Sequence, residues 1–115
     1  MHIYVELWKF RPASLALPSE ARKTWLDELT AGVQKQLDSG VELVGFAAND
    51  EDTPHPSGYD FLAVWKMPSK EAAQEFESVV EASGLYEYYE QVNTRGRMMD
   101  MDEVTAAHLD AGNGS

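Results

Sequence analysis

Apolar and polar positions alternate singly over residues 2–8, with Ile3, Val5 and Leu7 on one side and Tyr4, Glu6 and Trp8 on the other. This period of two predicts a first strand. Arg11-Pro12 ends it, and residues 13–17 read as a loop with enough leucine to be tucked down. The period then lengthens: Ala21, Trp25, Leu26, Leu29, Val33 and Leu37 recur at three- and four-residue steps within residues 20–39, which predicts an amphipathic helix. Ser19 behind Pro18 is its predicted N-cap and Gly40 its left-handed stop. Gly32 inside this helix costs about 1 kcal/mol relative to alanine, so it either marks close approach to a strand or is simply tolerated.

Residues 41–48 predict a second strand, and residues 49–58 a turn-rich acidic loop. The third strand, residues 59–67, is apolar on both of its alternating sides, with Phe61, Ala63 and Trp65 pointing one way and Leu62 and Val64 the other. Such a strand belongs at the centre of a sheet covered on both faces. Pro68-Ser69 opens a second helix over residues 70–82, with Ala72, Ala73, Phe76, Val79 and Val80 on its buried side, and Gly84 ends it. Residues 85–91 read as a short extra turn carrying Tyr86, Tyr88 and Tyr89. Residues 92–101 predict a fourth strand, residues 102–110 a short helix, and residues 111–115 a disordered tail.

The order is β-α-β-β-α-β, which predicts an α+β, ferredoxin-like fold: a four-stranded antiparallel sheet with two helices on one face, in a single domain over residues 1–110. The two helices cover one face only. Leaving the other bare would expose a larger apolar patch than soluble monomers usually show, so its cover is predicted to be a second copy of the chain, in a homodimer.

Composition removes several functions. The 115 residues hold 20 acidic against 9 basic side chains, a net charge of -11, which opposes nucleic acid and anionic membrane surfaces as partners. With no cysteine there is no disulfide framework, thiolate metal site or cysteine nucleophile. A start that runs directly into a strand pattern, without a basic segment and long apolar run, predicts a cytoplasmic protein.

The strand Tyr59-Asp60-Phe61-Leu62-Ala63-Val64-Trp65, the phrase Pro12-Ala13-Ser14-Leu15-Ala16-Leu17 ahead of Ser19-Glu20, and Gly84-Leu85-Tyr86-Glu87-Tyr88-Tyr89 before the last strand resemble the dimeric α/β-barrel superfamily, nearest to its uncharacterised darcynin-like proteins. The resemblance covers about residues 1–101. It implies two four-stranded sheets facing each other across a two-fold axis, with ligand pockets between sheet and helices. The superfamily includes cofactor-free monooxygenases, isomerases and cyclases, a haem-dependent branch, and members without known activity. Its motifs here are structural, so no activity transfers residue by residue.

Topology narrows where chemistry can sit. In a split βαβ sheet Arg11, the start of the first helix, His55, Tyr59, Asp60 and Tyr86 converge on one rim. That set suits a small molecule with a carboxylate or phenolate. His55 or Asp60 would shuttle a proton while Arg11 and Tyr86 hold an anionic oxygen, with Tyr59 as a further substrate-binding side chain. The plainer readings are an exposed loop histidine, an aspartate bonding backbone amides, and an arginine capping its strand.

Glu6, between Tyr4 and Trp8 on a central strand, is the remaining catalytic candidate, with Trp65 as a substrate-binding side chain. A buried carboxylate is costly unless paired. Glu6 is therefore predicted to pair with Arg95 or Arg97 on the neighbouring strand, or, as the functional alternative, to lie in a pocket with a raised pKa and act as a base. Met98, Met99 and Met101 with Asp100 and Asp102 read as packing rather than a metal site, because adjacent strand residues face opposite ways. No phosphate-cradling glycine loop, nucleophile elbow or metal-ligand histidine pair is present.

The function this predicts is binding of a small aromatic or polyketide-like compound without a metal or organic cofactor. Any catalysis would be proton transfer, isomerisation, cyclisation, or oxygenation with electrons drawn from the substrate. The alternative is a non-catalytic dimeric accessory protein.

Overall fold

The computed structural model describes residues 1–112. Its elements run β1 (His2–Phe10), α1 (Pro12–Ala16), α2 (Ser19–Asp38), β2 (Glu42–Ala48), β3 (Phe61–Met67), α3 (Lys70–Ala82), α4 (Leu85–Tyr88), β4 (Tyr89–Arg97) and α5 (Met101–Asp110). The four strands form one antiparallel sheet in the order β2-β3-β1-β4, the ferredoxin-like arrangement read from the sequence.

Register decides which face is which. Tyr4 pairs with Trp65, Glu6 with Ala63 and Trp8 with Phe61, so these six side chains share one face. Tyr4, Ala63, Trp65 and Met67 are buried there against Ala73, Phe76 and Val80 of α3, while Trp25, Leu29, Val33 and Leu37 of α2 pack on the same cluster. Each large side chain fully buried in this layer stabilises the fold by about 1.5–3 kcal/mol. The opposite face carries Ile3, Val5, Leu7, Leu62 and Val64, only half-buried, with Val44 and Val92 exposed.

Local chemistry sets the element ends, with some departures from the predicted pattern. Where residues 13–17 read as a loop, residues 12–16 form α1, because proline fits the first helical turn where its missing N–H is not needed. At α2 the cap position falls to Pro18, which makes no side-chain bond, and Ser19 is already helical. At α3 the predicted device operates, the Ser69 hydroxyl oxygen accepting from Ala72 N–H at 3.1 Å.

Gly32 does mark a close approach, but to a helix: a Cβ there would stand 3.3 Å from Val79 Cγ1 of α3. β3 begins at Phe61, since the Tyr59 and Asp60 carbonyls instead accept from Asn49. β4 begins three residues earlier than predicted, as Tyr89 pairs with Phe10 at the end of the long β1, and it stops at Arg97.

α5 opens on a capping box between Asp100 and Glu103, and every residue in it is exposed. Of the predicted tail, Ala111 and Gly112 form a turn and residues 113–115 lie outside the described residues. Among the described residues no helix is long and apolar enough to cross a membrane.

Candidate functional site

Between the helix-facing side of the sheet and α2 lies a cavity of about 270 Å³. Its floor follows from register. Across the sheet Glu6 pairs with Ala63 and Ala63 with Phe46, so the central row holds only a methyl group between a carboxylate and an aromatic ring. Trp8 and Trp65 stand on either side of that row, Phe76 closes the α3 side, and Leu29, Val33 and Leu37 of α2 form the roof. The rings pack edge to face or tilted, Phe46 on Trp65 with centroids 5.7 Å apart and Trp65 on Phe76 at 4.8 Å. Leu43 and Phe46 on edge strand β2 line the cavity yet stay exposed, Phe46 at 62%, which puts the opening between β2 and α2.

Glu6 is 6% exposed and lines this apolar space. Trp65 Nε1–H donates to its Oε1 and Gln91 Nε2–H to its Oε2, each at 2.7 Å. Gln91 also donates to Asn93 Oδ1 at 2.7 Å, and Asn93 Nδ2–H reaches the Tyr86 hydroxyl at 3.4 Å. Burial raises the Glu6 pKa from its ordinary 4.5, and the two hydrogen bonds to the ionised form hold back part of that rise. Beside it Tyr4 is wholly buried, with no hydrogen-bond partner for its hydroxyl among the described residues. Burial first, and then the Glu6 charge, push that phenol upward as well.

The predicted ion pair from Glu6 to Arg95 or Arg97 does not form. Arg95 lies opposite Tyr4, within reach of α3, and pairs with Glu77. Arg97 lies opposite His2 at the strand end and pairs with Glu103 of α5 at 3.0 Å. Glu6 instead faces Asn93 across the strand pair and is satisfied by neutral donors. Of the two partners predicted for this residue neither is in place, and Glu6 borders the cavity instead.

The residues predicted at the rim divide. Arg11 donates from Nε to the Tyr86 carbonyl at 3.0 Å, and Asp60 Oδ2 accepts from Phe10 N–H at 3.3 Å, so Arg11, Asp60 and Tyr86 do gather at the end of β1. Their contacts there are to backbone, and none of them lines the cavity. Tyr59 lies beneath Lys9, whose Nζ sits 5.3 Å from the ring centre. His55 is exposed with φ 57, and it makes no hydrogen bond or ion pair among the described residues. Glu6 and Trp65 are the predicted site residues that meet in the cavity.

Gln91, Phe46 and Phe76 belong to this site and were not singled out. The available signal for Gln91 was parity with Asn93, Arg95 and Arg97 on the strand, and starting that strand at Val92 concealed it.

A haem-dependent member of the superfamily would need an axial ligand, and the lining offers none. Neither His2, His55 nor His108 borders the cavity, and its walls hold no cysteine, methionine or tyrosine. These residues do not fit that group. Among the described residues no cluster of three histidine, cysteine or acidic side chains could hold a metal ion.

An antiparallel sheet of this order, two-layered with a cavity beneath the long helix, defines a ferredoxin-like α+β protein. Within that class the chain belongs to the family of unknown function DUF6616, whose model matches residues 1–111. No relative among curated proteins matches the chain. Similar solved structures include a mutant chlorite dismutase from Candidatus Nitrospira defluvii, at 18% identity and TM-score 0.67 over 92% of this chain and 44% of that one. The chain thus spans less than half the length of that enzyme. A dimeric protein of unknown function and ferredoxin-like fold from Bacteroides fragilis NCTC 9343 gives 12% identity and TM-score 0.51 over 84% and 95% of the two chains. At3g17210 from Arabidopsis thaliana gives 17% and 0.55 over 88% and 98%. At these identities the likeness is one of fold.

Proposed function

We propose that the chain is a small-molecule-binding protein that works as a homodimeric α/β barrel, with the Glu6 cavity as its ligand site. One observation carries this reading: a nearly buried carboxylate without a charged partner, held by Trp65 and Gln91 against an apolar space that opens at β2. Maintaining an unpaired carboxylate in such a place is costly, and ligand sites are where folds tolerate that cost. The non-catalytic accessory alternative calls for a filled interior, which the open cavity argues against. The darcynin-like kinship suggested by the strand at residues 59–65 and the tyrosine turn belongs to the same reading.

The dimer is supported by the half-buried aliphatic face of Ile3, Val5, Leu7, Leu62 and Val64, which no helix among the described residues covers, and by the B. fragilis protein of the same fold, which is described as dimeric. A catalytic form of the proposal, cofactor-independent isomerase, cyclase or monooxygenase, rests on Glu6 alone. Its raised pKa suits a carboxyl that takes or gives a proton at a ligand held against Trp65. The site is thereby moved from the Arg11 rim to the sheet-helix interior.

The test is a ligand-detected NMR screen of small apolar amines, phenols and ketones against the wild type and Val33→Phe, which fills the roof of the cavity. Compounds that bind the wild type should lose binding to the variant. Equal binding to both would put the site elsewhere.

A further inference from the structure

The ligand's charge can be read from the cavity walls. Among the described residues that line it, Glu6 alone is ionisable, and the rest are aromatic, aliphatic or neutral polar. The two arginines of β4 are engaged by other carboxylates, Arg95 by Glu77 and Arg97 by Glu103. A carboxylate has about four lone-pair positions, and Trp65 and Gln91 occupy only one on each oxygen. Glu6 lines the same space as the rings of Trp8, Phe46, Trp65 and Phe76. Ring faces carry the negative end of a quadrupole, and a cation set against them is attracted while an anion is repelled. The protein's net charge of -11 acts in the same sense at long range.

We infer that the cavity selects a small apolar amine bound as its ammonium ion, with Glu6 as counter-ion and the surrounding rings as an aromatic box. This inference rests on the cavity being the ligand site, as proposed above, and adds the ligand's chemical class. It reverses the expectation of a carboxylate or phenolate, since among the described residues no cation lines the cavity to receive one. The ammonium donates to the unused Glu6 lone pairs while its hydrocarbon body lies along Leu29 and Val33. No covalent step is involved. The pairing supplies the charge partner that the fold itself withholds from Glu6.

The experiment is isothermal titration calorimetry with a matched trio, benzylamine, benzyl alcohol and benzoate, on the full chain at neutral pH. Benzylamine should bind more tightly than benzyl alcohol by about tenfold or more, the scale of one charge-assisted hydrogen bond, and benzoate should not bind. Glu6→Gln should remove the preference for benzylamine over benzyl alcohol. Equal affinities for amine and alcohol in the wild type would overturn the amine assignment and leave the ligand site standing. Tighter binding of benzoate would overturn it too. Failure of all three to bind, together with a negative screen of the broader library, would overturn the ligand site itself. The wild-type ranking decides the matter even if the variant does not fold.

Discussion

Glu6→Gln also makes a demand on stability that follows from the hydrogen bonds. At acid pH, below the ordinary value of 4.5, Glu6 is neutral in both folded and unfolded chains, and the substitution exchanges a carboxylic acid for an amide of the same shape. The introduced NH2 then faces a donor, either Trp65 Nε1–H or Gln91 Nε2–H. Leaving one such donor stranded costs about 1–3 kcal/mol. The chain of amides offers an escape: Gln91 and Asn93 can turn over together, so that each presents its oxygen where it presented its NH2, and the Tyr86 hydroxyl changes from acceptor to donor. With that inversion the acid-pH difference shrinks to within about 1 kcal/mol, the net worth of one ordinary hydrogen bond.

Above pH 4.5 the two proteins diverge. Burial raises the folded pKa of Glu6, so the folded wild type keeps a proton that the unfolded chain has lost. Stability falls with pH wherever the folded state binds more protons. The wild type therefore loses up to about 1.4 kcal/mol per pH unit relative to the variant, from pH 4.5 until the folded pKa is reached, and the difference then levels off. Urea unfolding of both proteins from pH 4 to 8, followed by circular dichroism, measures this difference with the other carboxylates cancelling. A difference that rises and then flattens is the expected result, and the plateau marks the folded pKa. A flat difference would mean that Glu6 is solvated, and a falling one that it pairs with an arginine after all.

Three further outcomes follow from the packing. Val64→Asp places a charge on the aliphatic sheet face, away from the helix-covered core, and should leave a folded monomer of 12.8 kDa in sedimentation equilibrium where the wild type is a dimer; a wild-type monomer, or a variant dimer, would refute the interface. Gly32→Val adds a branched side chain where a Cβ alone would stand 3.3 Å from Val79; forcing α2 from α3 should cost about 1–3 kcal/mol in urea unfolding, and no loss would mean that the helices are free to slide. Arg11→Ala and His55→Ala should leave ligand affinity unchanged, since neither side chain lines the cavity; loss of binding in either would restore the rim as the site.

Much of the fold was legible because periodicity states it directly. The alternation in β1, the two-sided apolarity of β3 and the three-and-four spacing in α2 each depend on a single element and survive any arrangement of the others. What escaped depended on pairing. Whether Glu6 meets an arginine turns on a register in which Asn93, not Arg95, lies opposite it, and strand parity alone cannot supply that offset. Gln91 was hidden for a related reason: three tyrosines suggested a turn, whereas pairing with the far end of β1 draws Tyr89 into the strand. The cavity depends on a small Ala63 between two large neighbours in different strands. Only the assembled sheet shows that row. Arg11, Asp60 and Tyr86 do gather at the end of β1, but there Arg11 and Asp60 bond a backbone carbonyl and amide rather than surround a space.

The three tryptophans provide the most direct measurement of where a ligand sits, because their indole N–H groups report separately. Trp65 donates to Glu6 at the cavity floor and Trp8 lines the wall, while Trp25 donates to the Ser83 carbonyl at 2.7 Å and borders no part of the cavity. In a 1H–15N correlation spectrum recorded during titration with benzylamine, the Trp65 and Trp8 indole resonances should move together along a saturable curve while that of Trp25 stays in place. Saturable binding that shifts Trp25 and leaves Trp65 and Trp8 unmoved would contradict the account.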